Sequence, residues 1–385
     1  MSQFAEWQWT TIAPVFSRAS DNIPVHYVLS ADVVLPFVSA QNKNRGGYGQ
    51  VFKVVVHPDH HNFESAEVFA VKRLYTSHRE SFDKEVKTLK MLSRASHPHI
   101  ISLLASYEQH GEFNMMFYWA DANLLEYWKK VEPDPAFDRT TMLWVAEQCR
   151  GIAEGLSVIH HIGSLPESQQ VGQTSASPPF FGYHGDISPQ NILWFCKPRY
   201  LNDMGTLKIS DFGTADLRDV RNMHSELLAP MAMSPTYGPP DGHMIGSRLN
   251  SSFDIWSLGC VYLEFATWFL GGERLLQQFV LKRLSRDSKS RFYESDCFFE
   301  LVDEEDTNLM YPRVKPSVVE FIVELHTHCK HATYFHEFLD IIQQGMMTID
   351  QTEPWGRSRL GSSELSERLA LMYERCVRET TNTPP

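Results

Sequence analysis

From Leu35 to Val56 and again from Glu67 to Leu74, short runs of β-branched and aromatic residues flank Gly and His/Pro/Asp turns. That pattern predicts antiparallel strands joined by hairpins. Between Phe82 and Leu92 the apolar positions Phe82, Val86, Leu89 and Leu92 recur at helical spacing, which predicts one amphipathic helix interrupting the strands. Strand character returns through Ile100 to Tyr107 and Phe113 to Trp119. Beyond Leu124 the periodicity turns helical, most clearly from Leu143 to His160, and stays mostly helical to Arg375.

The pattern divides the chain. Residues 1–34 hold Trp7, Trp9, Val15, Phe16 and Tyr27 without sustained periodicity and read as an extension packed on the domain. A small lobe follows over 35–119 and a large lobe over 120–376, with residues 377–385 a frayed tail. Two interruptions of the large lobe read as solvated loops: about 163–182, rich in Ser, Gln, Gly and Pro, and the acidic stretch Asp303 to Asp306. The expected fold class is α+β, a small antiparallel-sheet lobe with one helix beside a large helical one. No internal repeat is visible.

Composition narrows the function classes. At 385 residues, 43% hydrophobic and 21% charged, the chain is an ordinary globular protein able to build one catalytic unit from two lobes. A net charge of −12 lacks the basic excess that a phosphate backbone demands, so nucleic acid is not an expected partner. The most apolar run, Trp256 to Leu270, is broken by Glu264 and is shorter than the roughly 20 residues of a bilayer helix, so it predicts a buried helix and no membrane insertion. Cys149, Cys196, Cys260, Cys297, Cys329 and Cys376 are scattered, as reduced thiols of an intracellular protein would be, and the first sixteen residues carry no basic stretch followed by an apolar core. The expected location is cytoplasmic or nuclear.

Candidate chemistry begins at Asn44-Arg45-Gly46-Gly47-Tyr48-Gly49-Gln50-Val51. Such a glycine-containing turn lets backbone N–H groups approach a polyphosphate, or is a plain hairpin turn. Lys72 closes the apolar strand Phe69-Ala70-Val71-Lys72, where a lysine either neutralises phosphate or snorkels to water. Glu85 shares a helix face with Leu89 and Leu92; a carboxylate there wants a cation, and Lys72 is the natural one. The decisive stretch is His184-Gly185-Asp186-Ile187-Ser188-Pro189-Gln190-Asn191, followed after a short hairpin by Asp211-Phe212-Gly213. Phosphoryl transfer needs a carboxylate to orient the attacking hydroxyl, an amide oxygen on a metal, and a second carboxylate bridging metal and phosphates. Asp186, Asn191 and Asp211 offer those three groups at fixed spacing. The cluster His326, His328, Cys329, His331 and His336 fits no closed tetrahedral metal set and reads as a polar helix surface.

Over roughly residues 35–375 these motifs resemble the eukaryotic protein-kinase superfamily, and phrases such as Asp254-Ile255-Trp256-Ser257-Leu258-Gly259 are similar to fungal serine/threonine-kinase-like proteins. The resemblance implies a bilobal fold with ATP and Mg²⁺ bound between the lobes. It implies nucleotide contacts from Asn44, Gly46, Gly49, Val51, Ala70 and Lys72, with Met116 at the gatekeeper position and Phe117 to Trp119 at the hinge. It further implies Lys72 paired with Glu85, Asp186 as the acid–base residue, and Asn191 and Asp211 as magnesium ligands. Ser234-Pro235-Thr236-Tyr237 to Asp241 resembles the end of the activation segment, with Ser234 touching the catalytic aspartate and Arg359 placed to pair with Asp241. The implied activity is transfer of the γ-phosphoryl group to Ser/Thr hydroxyls of a protein substrate.

Three departures stand beside the resemblance. Asn44 replaces the first loop glycine, Gly185 replaces the arginine that clamps a phosphorylated activation segment, and Ser188 replaces the catalytic-loop lysine or arginine. Activation independent of that clamp is expected, and slow turnover. A pseudokinase that binds nucleotide or partners remains an alternative, as does a small-molecule kinase, whose catalytic loop also carries His-Gly-Asp.

Overall fold

A computed structural model describes residues 12–19, 23–45, 49–63, 67–74, 79–162, 180–196, 204–219, 234–243, 251–286, 294–303, 310–329, 333–349 and 358–382. The chain forms two compact units that divide after Asp121, two residues beyond the boundary read from the sequence.

The first unit is a six-stranded sheet in the order β1-β5-β6-β4-β3-β2, built from β1 (Val25–Val28), β2 (Phe37–Arg45), β3 (Gly49–Val56), β4 (Val68–Leu74), β5 (Ala105–Gln109) and β6 (Glu112–Tyr118). β1 runs parallel to β5, and the other neighbours are antiparallel. β5 and β6 join through His110-Gly111, both in the left-handed region (φ 51° and 72°), as a two-residue hairpin requires. The amphipathic helix α1 (Arg79–Ala95) buries Phe82, Glu85, Val86, Leu89 and Leu92. Its outer face carries charge, including an Arg79–Asp83 pair one turn apart.

The described part of the predicted extension belongs to this sheet, and Trp7 and Trp9 lie outside the described residues. β1 lies on the β5 edge, and Phe16 is fully buried among Val54, Val56, Phe69, Val71, Tyr107 and Met116. The Tyr27 ring stands edge-on to Phe16, and its hydroxyl accepts from Ser17 N at 2.9 Å and donates to the Val15 carbonyl at 3.2 Å. Burial of one such phenyl ring contributes about 2 kcal/mol. The period-2 and period-3.6 patterns could not show this, because Phe16 is an isolated anchor in an irregular segment.

The second unit is mainly helical. Asn123 and Glu126 form a reciprocal capping box at the helical segment Leu124–Val131. Next come α2 (Arg139–His161), capped where the Asp138 carboxylate accepts from Thr141 N at 2.9 Å, and α3 (Ser252–Arg283). α4 (Pro316–His328), α5 (Thr333–Ile341) and α6 (Ser362–Asn382) follow. α3 is buried on every side from Phe253 to Phe269 and breaks at Gly271-Gly272, close to the predicted end of the apolar run. Gly272 has φ +68°, and a Cβ there would stand 2.7 Å from the Pro133 carbonyl oxygen. The same oxygen accepts from Glu273 N at 2.7 Å, so the break is packed against chain. Among the described residues no helix is long and apolar enough to cross a membrane.

Short strands position the loops. β7 (Ala122–Asn123), β9 (Ile192–Phe195) and β10 (Thr206–Ile209) form one sheet in the order β10-β9-β7, and β8 (Phe180–Tyr183) pairs with β11 (Asp216–Asp219). Two further hairpins, β12 (Ser285–Arg286) with β13 (Glu294–Ser295) and β14 (Phe299–Asp303) with β15 (Met310–Val314), interrupt the region read as helical. Their strands are two to five residues long, too short for a readable alternation. The loop predicted to reach residue 182 gives way to β8 at Phe180; residues 163–179, and 304–306 of the acidic stretch, lie outside the described residues. The predicted tail is helical as far as Asn382, where it forms the last part of α6, and residues 383–385 lie outside the described residues.

Candidate functional site

In the first unit, β3, β4 and β6 assemble one face. Val51 pairs with Lys72, and Ala70 with Phe117, while Lys72 also stands opposite Met115. Directly paired residues share a face of a sheet, so Val51, Ala70, Lys72, Met115 and Phe117 lie together. Met116 does not. It pairs with Val71 and Ala105 and is fully buried in the hydrophobic cluster of the opposite face. The gatekeeper assignment is therefore corrected by one residue: Phe117 occupies the face of Ala70 and Lys72. A strand's side chains alternate strictly, so a slip of one reverses the face, and Met115-Met116 offered no contrast to fix it.

Lys72 donates to Glu85 Oε1 at 2.7 Å, the pairing expected from the sequence, with the glutamate side chain 4% exposed. Gly49 has a packing reason of its own: a Cβ would lie 2.3 Å from the Arg73 carbonyl oxygen, so glycine lets β3 close on β4. Asn44 pairs with Val51 across a register shift in the β2–β3 ladder. Gly46 and the Asn44 side chain lie outside what is described. Trp119 follows β6, with Lys53 Nζ 4.8 Å above its ring.

In the second unit the stretch from His184 to Asn191 hangs from Asp254 near the start of α3. Asp254 Oδ2 accepts from His184 N at 2.7 Å and from His160 Nε2 at 2.9 Å, and Oδ1 accepts from Gly185 N at 2.8 Å. Burial pushes this carboxyl upward, but the bonds from His160 and the field of the two histidines outweigh it and hold it below its ordinary value. His184 donates through Nε2 to the Ser210 carbonyl at 2.9 Å and accepts the Asp186 amide on Nδ1 at 3.2 Å. Gly185 has φ 83°, a conformation that strains any side chain; glycine thus has a backbone reason where the sequence suggested only the loss of a cation.

Asp186 receives the loop's remaining donors. Asn191 Nδ2 donates to its carboxylate Oδ2 at 2.7 Å and its main-chain oxygen at 2.9 Å, and Ser234 N donates to Oδ1 at 3.2 Å. With the Asn191 nitrogen so committed, its amide oxygen is the atom left to meet a cation. Burial raises the Asp186 pKa, helped by the nearby Asp211 charge and opposed by His184 and these bonds. Asp211, reached through the β9–β10 hairpin, is exposed and has φ 62°, a left-handed residue other than glycine. Such strain marks candidate functional positions. The next residues are anchored: Phe212 packs edge-on to the His184 ring, and the Thr214 hydroxyl donates to the His184 carbonyl at 2.9 Å.

Asp241 and Arg359 make a bidentate pair at 2.6 and 3.1 Å, the guanidinium fully buried and also donating to the Thr348 and Ser252 carbonyls. Among the described residues no group of three or more His, Cys, Asp or Glu could hold a metal ion alone. His326 Nδ1 lies 2.9 Å from His336 Nδ1, and Cys329 Sγ is turned to the Leu325 carbonyl; His331 lies outside the described residues.

The protein kinase domain family matches residues 44–278, which is more than half of the 385. The chain is a member of the protein kinase family. It is 26% identical over 228 residues to the cyclin-dependent kinase-like 4 of Homo sapiens, covering 58% of this chain and 48% of that one. It is also 26% identical over 270 residues to the serine/threonine-protein kinase SSK22 of Saccharomyces cerevisiae, covering 63% of this chain and 17% of that one. A third relative, the CTD kinase subunit alpha of Schizosaccharomyces pombe, is 26% identical over 241 residues, covering 61% and 34%. The chain thus spans about half or less of the length of these curated relatives.

Several buried partners of the candidate site were not read from the sequence. His160 sits at the end of α2 with no local signal for its bond to Asp254. Glu264, taken as an interruption of an apolar run, accepts from Tyr237 OH at 2.8 Å and from Arg283 Nη2 at 2.7 Å. A carboxylate inside a helix buried all round could have signalled a buried cationic partner.

Proposed function

We propose that the protein transfers the γ-phosphoryl group of ATP to serine or threonine hydroxyls of proteins. The observation that carries this reading is the setting of Asp186: a half-buried carboxylate fixed by Asn191 and by the Ser234 amide beside a strained, exposed Asp211. In this reading Asp186 orients the acceptor hydroxyl and takes its proton. Lys72, held by Glu85, neutralises phosphate charge, and the face of Val51, Ala70, Phe117 and the following Trp119 receives the adenine end, together with Asn44, Gly46 and Gly49 on the phosphate side. Asn191 Oδ1 and the Asp211 carboxylate are hard oxygen donors of the kind that hold Mg²⁺ jointly with substrate phosphates. The ion, when bound, would supply charge neutralisation at the transferring group. Ser/Thr selectivity is supported by the named yeast relative. Ser188 places no cation in the loop and favours slow turnover, with a nucleotide-binding pseudokinase as the second reading.

The test is incubation of purified protein with labelled MgATP and a generic basic protein, beside Asp186→Asn. Label on serine or threonine, reduced by orders of magnitude in the variant with MgATP binding retained, is the expected result. Binding of MgATP without transfer would leave the pseudokinase. Label only on soluble alcohols would leave a small-molecule kinase.

A further inference from the structure

Ser234, whose amide meets Asp186, opens a turn closed by Gly238 N on the Ser234 carbonyl at 2.8 Å. Three bonds pin this turn. Tyr237 OH donates to Glu264, the Ser257 hydroxyl donates to the Tyr237 carbonyl at 2.9 Å, and the Thr236 hydroxyl donates to Asp296 Oδ1 at 2.7 Å. The first two come from α3, the helix that also holds the His184–Gly185 backbone through Asp254. The third comes from a different part of the chain, the two residues that link β13 to the Phe298–Phe299 stretch.

That linker is rigidly seated. The Asp296 carbonyl accepts from Arg283 Nε at 3.1 Å, and the preceding Ser295 carbonyl accepts from Lys315 Nζ at 2.9 Å. Arg283 is 1% exposed and clasped between the Phe279 and Phe298 rings, its carbon Cζ 4.3 and 4.1 Å from their centroids. Lys315 Nζ donates a second bond to the Arg283 carbonyl at 2.7 Å. A guanidinium this confined cannot drift, so the Asp296 carboxylate is presented from a fixed frame. Its bond to Thr236 is charge-assisted and only half-buried, worth more than a neutral hydroxyl contact.

We infer that Asp296 is a positioning residue for Asp186, acting through Thr236 and the turn that aims the Ser234 amide at the Asp186 carboxylate. The inference rests on the phosphotransfer reading of Asp186. It gives that reading a mode of regulation: with glycine at 185 in place of a cation, a permanent carboxylate–hydroxyl bond does the work that a phosphate clamp would otherwise do. Thr236 is then engaged as a donor, and phosphorylation there would set a dianion against Asp296 and loosen the turn.

The experiment compares wild type, Asp296→Ala, Asp296→Asn and Thr236→Val by two measurements. The first is exchange of the Ser234 amide hydrogen followed by NMR. The second is steady-state phosphorylation of a serine peptide under MgATP. Asp296→Ala and Thr236→Val are expected to speed exchange at Ser234 by about tenfold or more and to lower kcat on the order of tenfold, leaving KM for MgATP within about twofold. Asn retains an acceptor oxygen and should restore most of both. Unchanged exchange at Ser234 in folded Asp296→Ala or Thr236→Val would overturn the inference, as would a loss of kcat accompanied by an equal rise in KM for MgATP in all three variants. If Asp296→Ala fails to fold, Thr236→Val removes the same bond from the other side and decides the matter. A wild type that transfers no phosphate would sink the phosphotransfer reading, while exchange at Ser234 would still show whether Asp296 fixes the turn.

Discussion

Replacing Asp254 with asparagine isolates the support beneath the His184–Asn191 loop. Two carboxylate oxygens receive three buried donors: His160 Nε2 and His184 N on Oδ2, and Gly185 N on Oδ1. An amide has one acceptor oxygen. Its better orientation places that oxygen where Oδ2 stands, which points the NH₂ group at the Gly185 N–H. One buried donor is then left without a partner, at about 1–3 kcal/mol, and the two remaining bonds lose their charge assistance, at about 0.5–1 kcal/mol each. The sum, about 3 kcal/mol, is a large part of the ~5–15 kcal/mol that holds a domain together and corresponds to a fall in Tm of roughly 6–12 °C. Urea denaturation gives the free energy, and peptide phosphorylation reads the loop. The pH dependence adds a signature. Because the folded carboxyl titrates below its unfolded value of about 3.9, the wild type keeps this stabilisation above that pH and loses it as pH falls through the folded value. Asparagine has nothing to titrate, so the gap between the two proteins should narrow in acid. A loss under about 1 kcal/mol at pH 7, or a gap independent of pH, would refute the account of three converging donors.

Other expectations are direct. Asp241→Ala leaves the fully buried Arg359 guanidinium without its carboxylate and should cost about 3–5 kcal/mol by chemical denaturation, whereas the double variant Asp241→Leu/Arg359→Met should recover most of it. Phe16→Ala opens a cavity in the small unit's core and should cost about 3–5 kcal/mol, with faster hydrogen exchange in β1 and β5; no change there would mean that the extension is dispensable. Saturating MgATP at about 100 times its Kd should stabilise the wild type by about 2.7 kcal/mol in a thermal-shift assay, and Lys72→Met should remove most of that gain; an equal shift in the variant would place the phosphates elsewhere.

The groups on which the proposed function rests were legible because local spacing is enough to mark them. Asp186 and Asn191 lie within one loop, Asp211 follows one short hairpin, and Glu85 falls on an inward helix stripe that wants a cation. Periodicity likewise gave α1, α2 and the buried helix α3, since each is long enough to show its repeat. What stayed hidden depends on partners far apart in sequence or on a single residue of register. Met116 and Phe117 are both apolar and adjacent, so only the pairing with Val71 and Ala70 decides which faces Lys72. β1 exists because β5 offers an open edge, and Phe16 matters because a core is built around it; neither is written in the local pattern. Gly185 and Gly49 look alike as letters, yet one answers to a positive φ and the other to the approach of Arg73. The sequence by itself marked the groups on which the proposed phosphotransfer rests, because hydrogen-bonding type and charge belong to each side chain. The tertiary structure alone decided which buried groups hold them in place, His160 and Asp254 under the loop and Asp296 beside the Ser234 turn, because a polar group taken out of water must find its partner wherever the fold brings one.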